Sequence, residues 1–147
     1  MYTCWLLAAN EGRARVFEIH PSDGAWREVE DCISAEAHLP THLLLRDAKG
    51  QLVGGSGGVV HSTSARSDPH DVAAHQFATA LVDDLKRAKE AGRFQRLDIV
   101  APPKFLGMLR SELPDALGQV VGRELNKDWS NLDADEIARR YVSTKTH

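Results

Sequence analysis

The stretch from Gly92 to Arg110 constrains the fold of this chain more than any other. A helix stop, a buried strand, a tight corner and a new helix follow one another within it. Gly92 can take the left-handed conformation that closes a preceding helix. Leu97-Asp-Ile-Val-Ala101 is short, mostly apolar and bounded by turn residues, which predicts a strand covered on both faces. Pro102-Pro103 ends that strand, and Pro103 suits the first position of a helix, where its missing N–H costs nothing. Helix, covered strand and helix in sequence predict an alternating α/β fold.

The flanking segments extend the pattern. Tyr2 to Ala9 is almost continuously apolar and rich in strand formers, which places it centrally in a sheet. Asn10-Glu11-Gly12 is a turn, Arg13 to His20 alternates as a second strand, and Trp26 to Asp31 returns as a third. Pro40 blocks a helix through Ser34–Leu44, and His42 to Leu45 reads as a short edge strand or a loop. Lys49 to Asp68 carries five glycines and four serines and too little apolar surface to order itself, which predicts a mobile loop.

Asp68 as N-cap and Pro69 at the first position start a helix that runs to about Ala91. Its stripe of Ala73, Phe77, Ala80, Leu81, Leu85 and Ala88 is expected against the sheet, with Asp83 and Arg87 paired in water. Pro103 to Leu113 forms a second helix around Phe105, Met108 and Leu109. Gly107 inside it costs about 1 kcal/mol relative to Ala, which suggests close packing there. Gln119 to Leu125 is a last strand. Asp133 and Glu136 form a capping box, with Leu132 and Ile137 as the staple of a final helix held by Ile137 and Tyr141.

The expected fold is therefore a mixed sheet in the order β-β-β-loop-α-β-α-β-α, one domain over 1–147, with strands 1, 4 and 5 parallel through right-handed crossovers. The 147 residues, 42% apolar and 27% charged, suit one ordinary globular domain. A net charge of −3 argues against broad phosphate-backbone binding. No apolar run is long enough to cross a bilayer and the N-terminus lacks a basic region, so a cytoplasmic protein without membrane contact is expected. Cys4 and Cys32 fit that compartment as reduced thiols.

Few motifs carry chemistry. Gly54-Gly55-Ser56-Gly57-Gly58 matches a nucleophile elbow formally, but the strand before it and the helix after it are missing, so a flexible loop is expected. Seven histidines include His38, His42, His61, His70 and His75 without metal-ligand spacing, and no phosphate loop or dinucleotide fingerprint occurs, so neither metal nor cofactor is expected. Open α/β sheets place sites beyond the carboxyl ends of strands. That rule selects Asn10, Glu11 and Arg13 after strand 1, Lys104 after strand 4, and Lys127 and Asp128 after strand 5, with Arg15 beside them.

Six blocks in order resemble a known family. They are Leu6 to Phe17, Arg46 to Gln51, Asp68-Pro-His70, Gly92 to Leu97, Ala101-Pro-Pro-Lys-Phe-Leu-Gly107 and Asn126-Lys-Asp-Trp-Ser-Asn-Leu132. Together they are similar to the bacterial host-attachment family, grouped with release-factor-like (baeRF) proteins. The resemblance implies a ribonuclease-H-like fold, as in the middle domain of archaeal and eukaryotic release factors. In those factors a Gly-Gly-Gln loop follows the third strand and helps water attack an RNA-linked ester. Here Lys49-Gly-Gln51 and Gly54-Gly-Ser56 stand in that region without a Gly-Gly-Gln. The resemblance implies a ribosome- or tRNA-associated module, or a protein-binding adaptor, that affects attachment indirectly. The alternatives are an ester hydrolase using Gln51, Ser56 and the glycine-rich loop, and a protein-binding adaptor whose loop folds on binding.

Overall fold

A computed structural model describes residues 3–20, 23–34 and 68–145. Strands β1 (Cys4–Ala9), β2 (Arg13–Ile19) and β3 (Trp26–Ile33) form an antiparallel meander. Helix α1 (Pro69–Glu90) leads into β4 (Arg96–Val100), and α2 (Pro103–Glu112) with the short α3 (Asp115–Gly118) leads into β5 (Val121–Leu125). Helix α4 (Ala134–Lys145) closes the described chain. The sheet order is β3-β2-β1-β4-β5, with β1, β4 and β5 mutually parallel. The expected mixed α/β order and the parallel set are both observed; α3, a single turn after Pro114, is an addition.

β1 lies at the centre because both its faces are apolar. Trp5, Leu7 and Ala9 join α1, α2 and α3 in one core, whereas Leu6 and Ala8 meet Phe17, Ile19, Val100, Trp129, Ile137 and Tyr141 in the other, beneath α4. Each face of the sheet thus has its own hydrophobic cluster. Edge strand β3 exposes Arg27, Glu28, Glu30 and Asp31, charges that discourage edge-to-edge pairing. Cys4 and Cys32 are both half-buried and pack on opposite faces.

The helix ends follow local chemistry. Asp68 Oδ1 accepts the His70 N–H at 2.8 Å. Gly92, at φ 76°, closes α1, while Arg93 N–H donates to the Ala88 carbonyl and Gly92 N–H to that of Lys89. Asp133 Oδ1 accepts the Glu136 N–H at 2.8 Å, and Leu132 and Ile137 share one cluster as the staple requires. Glu136's own carboxylate pairs with Arg139 and Arg140.

Several expectations are corrected. The buried face of α1 is Ala73, Ala74, Ala78, Leu81, Val82, Leu85 and Ala88; Ala80 is exposed, because the buried arc centres on Ala74, Ala78 and Leu85 and Ala80 lies more than a quarter-turn away from it. Arg87 pairs with Asp84 rather than Asp83. Gly107 is exposed and a Cβ there would meet nothing within 4 Å, so it marks no close approach. The strand at 96–100 is covered on both faces, as expected, yet its Asp98 is almost wholly buried. His42 to Leu45, the glycine-rich loop with Gln51, Gly54, Gly55, Ser56, Gly57 and Gly58, and His38 and His61 lie outside the described residues.

Candidate functional site

The carboxyl ends of β1, β4 and β5, the start of β2 and the end of β3 share one edge of the sheet. The first turns of α1 and α2 face it, because each helix must run back along the sheet before its next parallel strand can begin. Asn10 organises this rim. Its Oδ1 accepts the N–H groups of Gly12 and Arg13, each at 2.9 Å, which shapes the β1–β2 turn. Its amide nitrogen donates to both Asp128 oxygens at 3.3 and 3.2 Å. Asp128 Oδ1 also accepts the Ser130 hydroxyl at 2.9 Å.

Arg13 forks onto Asp31 of β3, with Nε and Nη2 at 3.0 and 2.8 Å, and reaches Asn131 Oδ1 at 3.4 Å. This hydrogen-bonded pair holds the Asp31 carboxyl below its ordinary range and raises the Arg13 guanidinium. Lys104 Nζ lies 2.7 Å from Asp71 Oδ1 and ties α2 to the first turn of α1. That contact raises the ammonium, with Glu11 adding to the field. Lys127 is exposed on the same rim.

Arg15, 6% exposed, lies beneath these groups. Its Nε and Nη2 grip Glu28 at 2.9 and 3.0 Å, and Nη1 donates to the Ser130 carbonyl at 3.2 Å and to that of Leu132. Its guanidinium carbon lies 5.2 Å from the centre of the Phe17 ring. The Asn126–Leu132 loop is therefore held at Asn10, Arg13 and Arg15, with Trp129 anchoring it in the core below α4. Every residue selected from the sequence for binding is at or just under this rim. The structure adds Asp31, Asp71, Ser130 and Asn131 as the groups that fix them. Register across the β2–β3 hairpin, set by a bulge at Val16/Phe17, puts Asp31 opposite Arg15 and within diagonal reach of Arg13, and no short sequence pattern encodes that.

Among the described residues no group of three His, Cys, Asp or Glu side chains is arranged to hold a metal ion. A separate groove of about 370 Å³ opens between α1 and the β2–β3 ribbon, floored by Trp5, Leu7 and Val16 and edged by Glu30, Asp84, Arg87 and Arg93. None of the rim residues lines it. No described helix is long and apolar enough to cross a membrane.

The profile of the family described as "Protein required for attachment to host cells" matches residues 5–140, nearly the whole chain. The chain belongs to this host-attachment family. A relative, an uncharacterized protein of Rickettsia prowazekii (strain Madrid E), is 30% identical over 78 residues. The match takes in 49% of this chain and 52% of the relative, so the chain spans about half the length of that protein. Among solved structures, the Aquifex aeolicus Ppx/GppA phosphatase is similar at a TM-score of 0.37 and 14% identity, over 85% of this chain and 36% of the phosphatase. In this host-attachment protein the two blocks that meet at the rim, Asn10 to Arg15 and Asn126 to Leu132, are both inside the matched span.

Proposed function

We propose that this host-attachment family member is a non-catalytic adaptor. It binds a protein partner in the cytoplasm through the rim and influences attachment to host cells indirectly. On this reading residues 1–147 act as one domain, with a ribonuclease-H-like fold like that of the release-factor middle domain. The observation that carries the adaptor reading is the pairing of the rim's charges. Arg13 is held by Asp31, Arg15 by Glu28 and Lys104 by Asp71, so the face presents fixed, alternating charge rather than a basic track. Such a surface favours a protein of complementary charge pattern over a polyphosphate backbone.

A second reading, association with ribosomal RNA or tRNA, draws on one feature. Helix α2 begins without a side-chain cap, beside the Lys104 ammonium, and its first turn offers positive potential to a phosphate.

A photo-crosslinking side chain at Lys127, with one at exposed Lys86 on α1 as the control, separates the two readings in cells. Protein adducts specific to position 127 support the adaptor. RNA adducts, together with ribosome cosedimentation that falls steeply between ~50 and ~200 mM salt, support the second reading. Identical adduct patterns at both positions would remove the rim as the contact face.

A further inference from the structure

At the other end of the sheet, beneath the last turns of α4, a polar cluster interrupts the apolar core. Asp98, 1% exposed, accepts hydrogen bonds from the Tyr141 hydroxyl, from Arg96 Nε at 3.0 Å and from the Arg123 backbone N–H at 2.8 Å, with the Cys4 thiol 3.9 Å away. The β4–β5 register shifts between Leu97 and Ile99. Leu97 faces Val121 but Ile99 faces Glu124, so Gly122 and Arg123 together oppose Asp98. This bulge sends Arg123 to the α4 face, where strict alternation would have sent it to the α1 face. There its guanidinium carbon sits 5.4 Å from the centre of the Tyr141 ring.

Among the described residues the charges in this cluster do not balance. Arg96 and Arg123 supply two positive charges, Asp98 one negative charge, and Tyr141 stays neutral. The acid facing Arg96 is Asp98, already shared with Arg123's backbone. Glu124 turns to the opposite face and pairs with Arg110 of α2. Arg123 Nη1 is buried and has no hydrogen-bond partner among the described residues. A buried, unpaired guanidinium N–H is costly and calls for an acceptor. The Arg96 side chain, bonded to the same Asp98 carboxylate, is 33% exposed, so one side of the cluster reaches solvent. A Cβ on Gly122 would lie 2.7 Å from Asp98 Oδ1 and would also strike Arg96, so glycine is what lets the guanidinium lie across β5.

We propose that Arg96 and Arg123 form a binding site for an oxyanion, a phosphate or carboxylate group, separate from the rim. The group enters along Arg96, accepts from Arg123 Nη1 and the outer Arg96 nitrogens, and supplies the missing negative charge. Two guanidinium planes suit a planar or tetrahedral oxyanion, which each can grip with paired N–H donors. Asp98 and Tyr141 act as positioning residues that fix the arginines.

The test is a titration of the full chain with inorganic phosphate at constant ionic strength, with chloride as the reference and acetate as the carboxylate arm, followed by amide and arginine Nε–H resonances. The proposal expects saturable shifts at the Arg96 and Arg123 Nε–H signals with phosphate, acetate or both; which anion is tighter identifies the ligand class. Arg123→Met, which keeps an apolar stem over Tyr141, should weaken binding at least tenfold while retaining the wild-type circular dichroism. Shifts that chloride reproduces equally, or saturable shifts confined to other residues, overturn the site. So does a folded Arg123→Met protein with unchanged affinity. If that variant does not fold, the wild-type arginine signals decide alone.

Discussion

Replacing Arg15 with Met tests whether one guanidinium fastens the rim to the sheet. The substitution removes four hydrogen bonds, two to Glu28 and two to the carbonyls of Ser130 and Leu132. Glu28 keeps 28% of its side chain in water, so losing that pair costs only about 1 kcal/mol. Ser130 is fully buried, and its carbonyl, like that of Leu132, loses a charged donor at about 1 kcal/mol each. The expected loss is about 3 kcal/mol, or a fall in Tm of roughly 6–12 °C for a chain of this size. Urea and thermal unfolding followed by circular dichroism measure it directly. Arg15→Lys keeps the charge but not the fork and should recover less than half. Glu28→Gln alone should cost about 1 kcal/mol. If Arg15→Met lies within about 0.5 kcal/mol of wild type, or Glu28→Gln is equally damaging, the carbonyl contacts do not carry the load assigned to them.

Gly107→Ala should stabilise the protein by about 0.5–1 kcal/mol in urea unfolding, since the site is helical, exposed and open. Asp98→Asn should destabilise it by about 3 kcal/mol, because Arg96, the Tyr141 hydroxyl and the Arg123 N–H all lose a buried charged acceptor, and denaturant midpoints report this. Burial, and then the hydrogen bond to Asp98, push the Tyr141 hydroxyl far above its ordinary value. Its contribution is therefore present below the unfolded pKa near ~10 and is lost as pH rises towards the folded value. In an ultraviolet titration Tyr141 should ionise only with unfolding, and Tyr141→Phe should abolish that late phase. Asp31 has the opposite sign, with its carboxyl held low by Arg13. Its contribution is present above about pH 4 and lost as pH falls through the folded value. With 40% of the Asp31 side chain exposed, Asp31→Asn should cost only about 0.5 kcal/mol at neutral pH and nothing in strong acid.

Local chemistry in the sequence determined where this chain turns and what its segments become. Asp68 and Pro69, Gly92, Pro103, and Asp133 each act within one helical turn, so their effects are legible without knowing the fold. The unbroken apolar run of β1 likewise marks the centre of the sheet, because a strand buried on both faces has no polar side to show. The rule that sites collect beyond strand ends brought Asn10, Arg13, Lys104 and Asp128 to one edge, since it needs only strand direction.

Only the tertiary structure decided which partners those residues meet. Arg13 finds Asp31, and Arg15 finds two loop carbonyls more than a hundred positions away, through hairpin register and the docking of α4. Asp98 reads as a polar interruption in an apolar strand, and the bulge that turns Arg123 beside it leaves no local signature. Gly107 shows the converse, a residue whose local oddity has no packing reason. The division has a physical cause: caps and turns are satisfied by neighbours along the chain, whereas buried charges are satisfied by whatever side chain or backbone folding brings across the sheet.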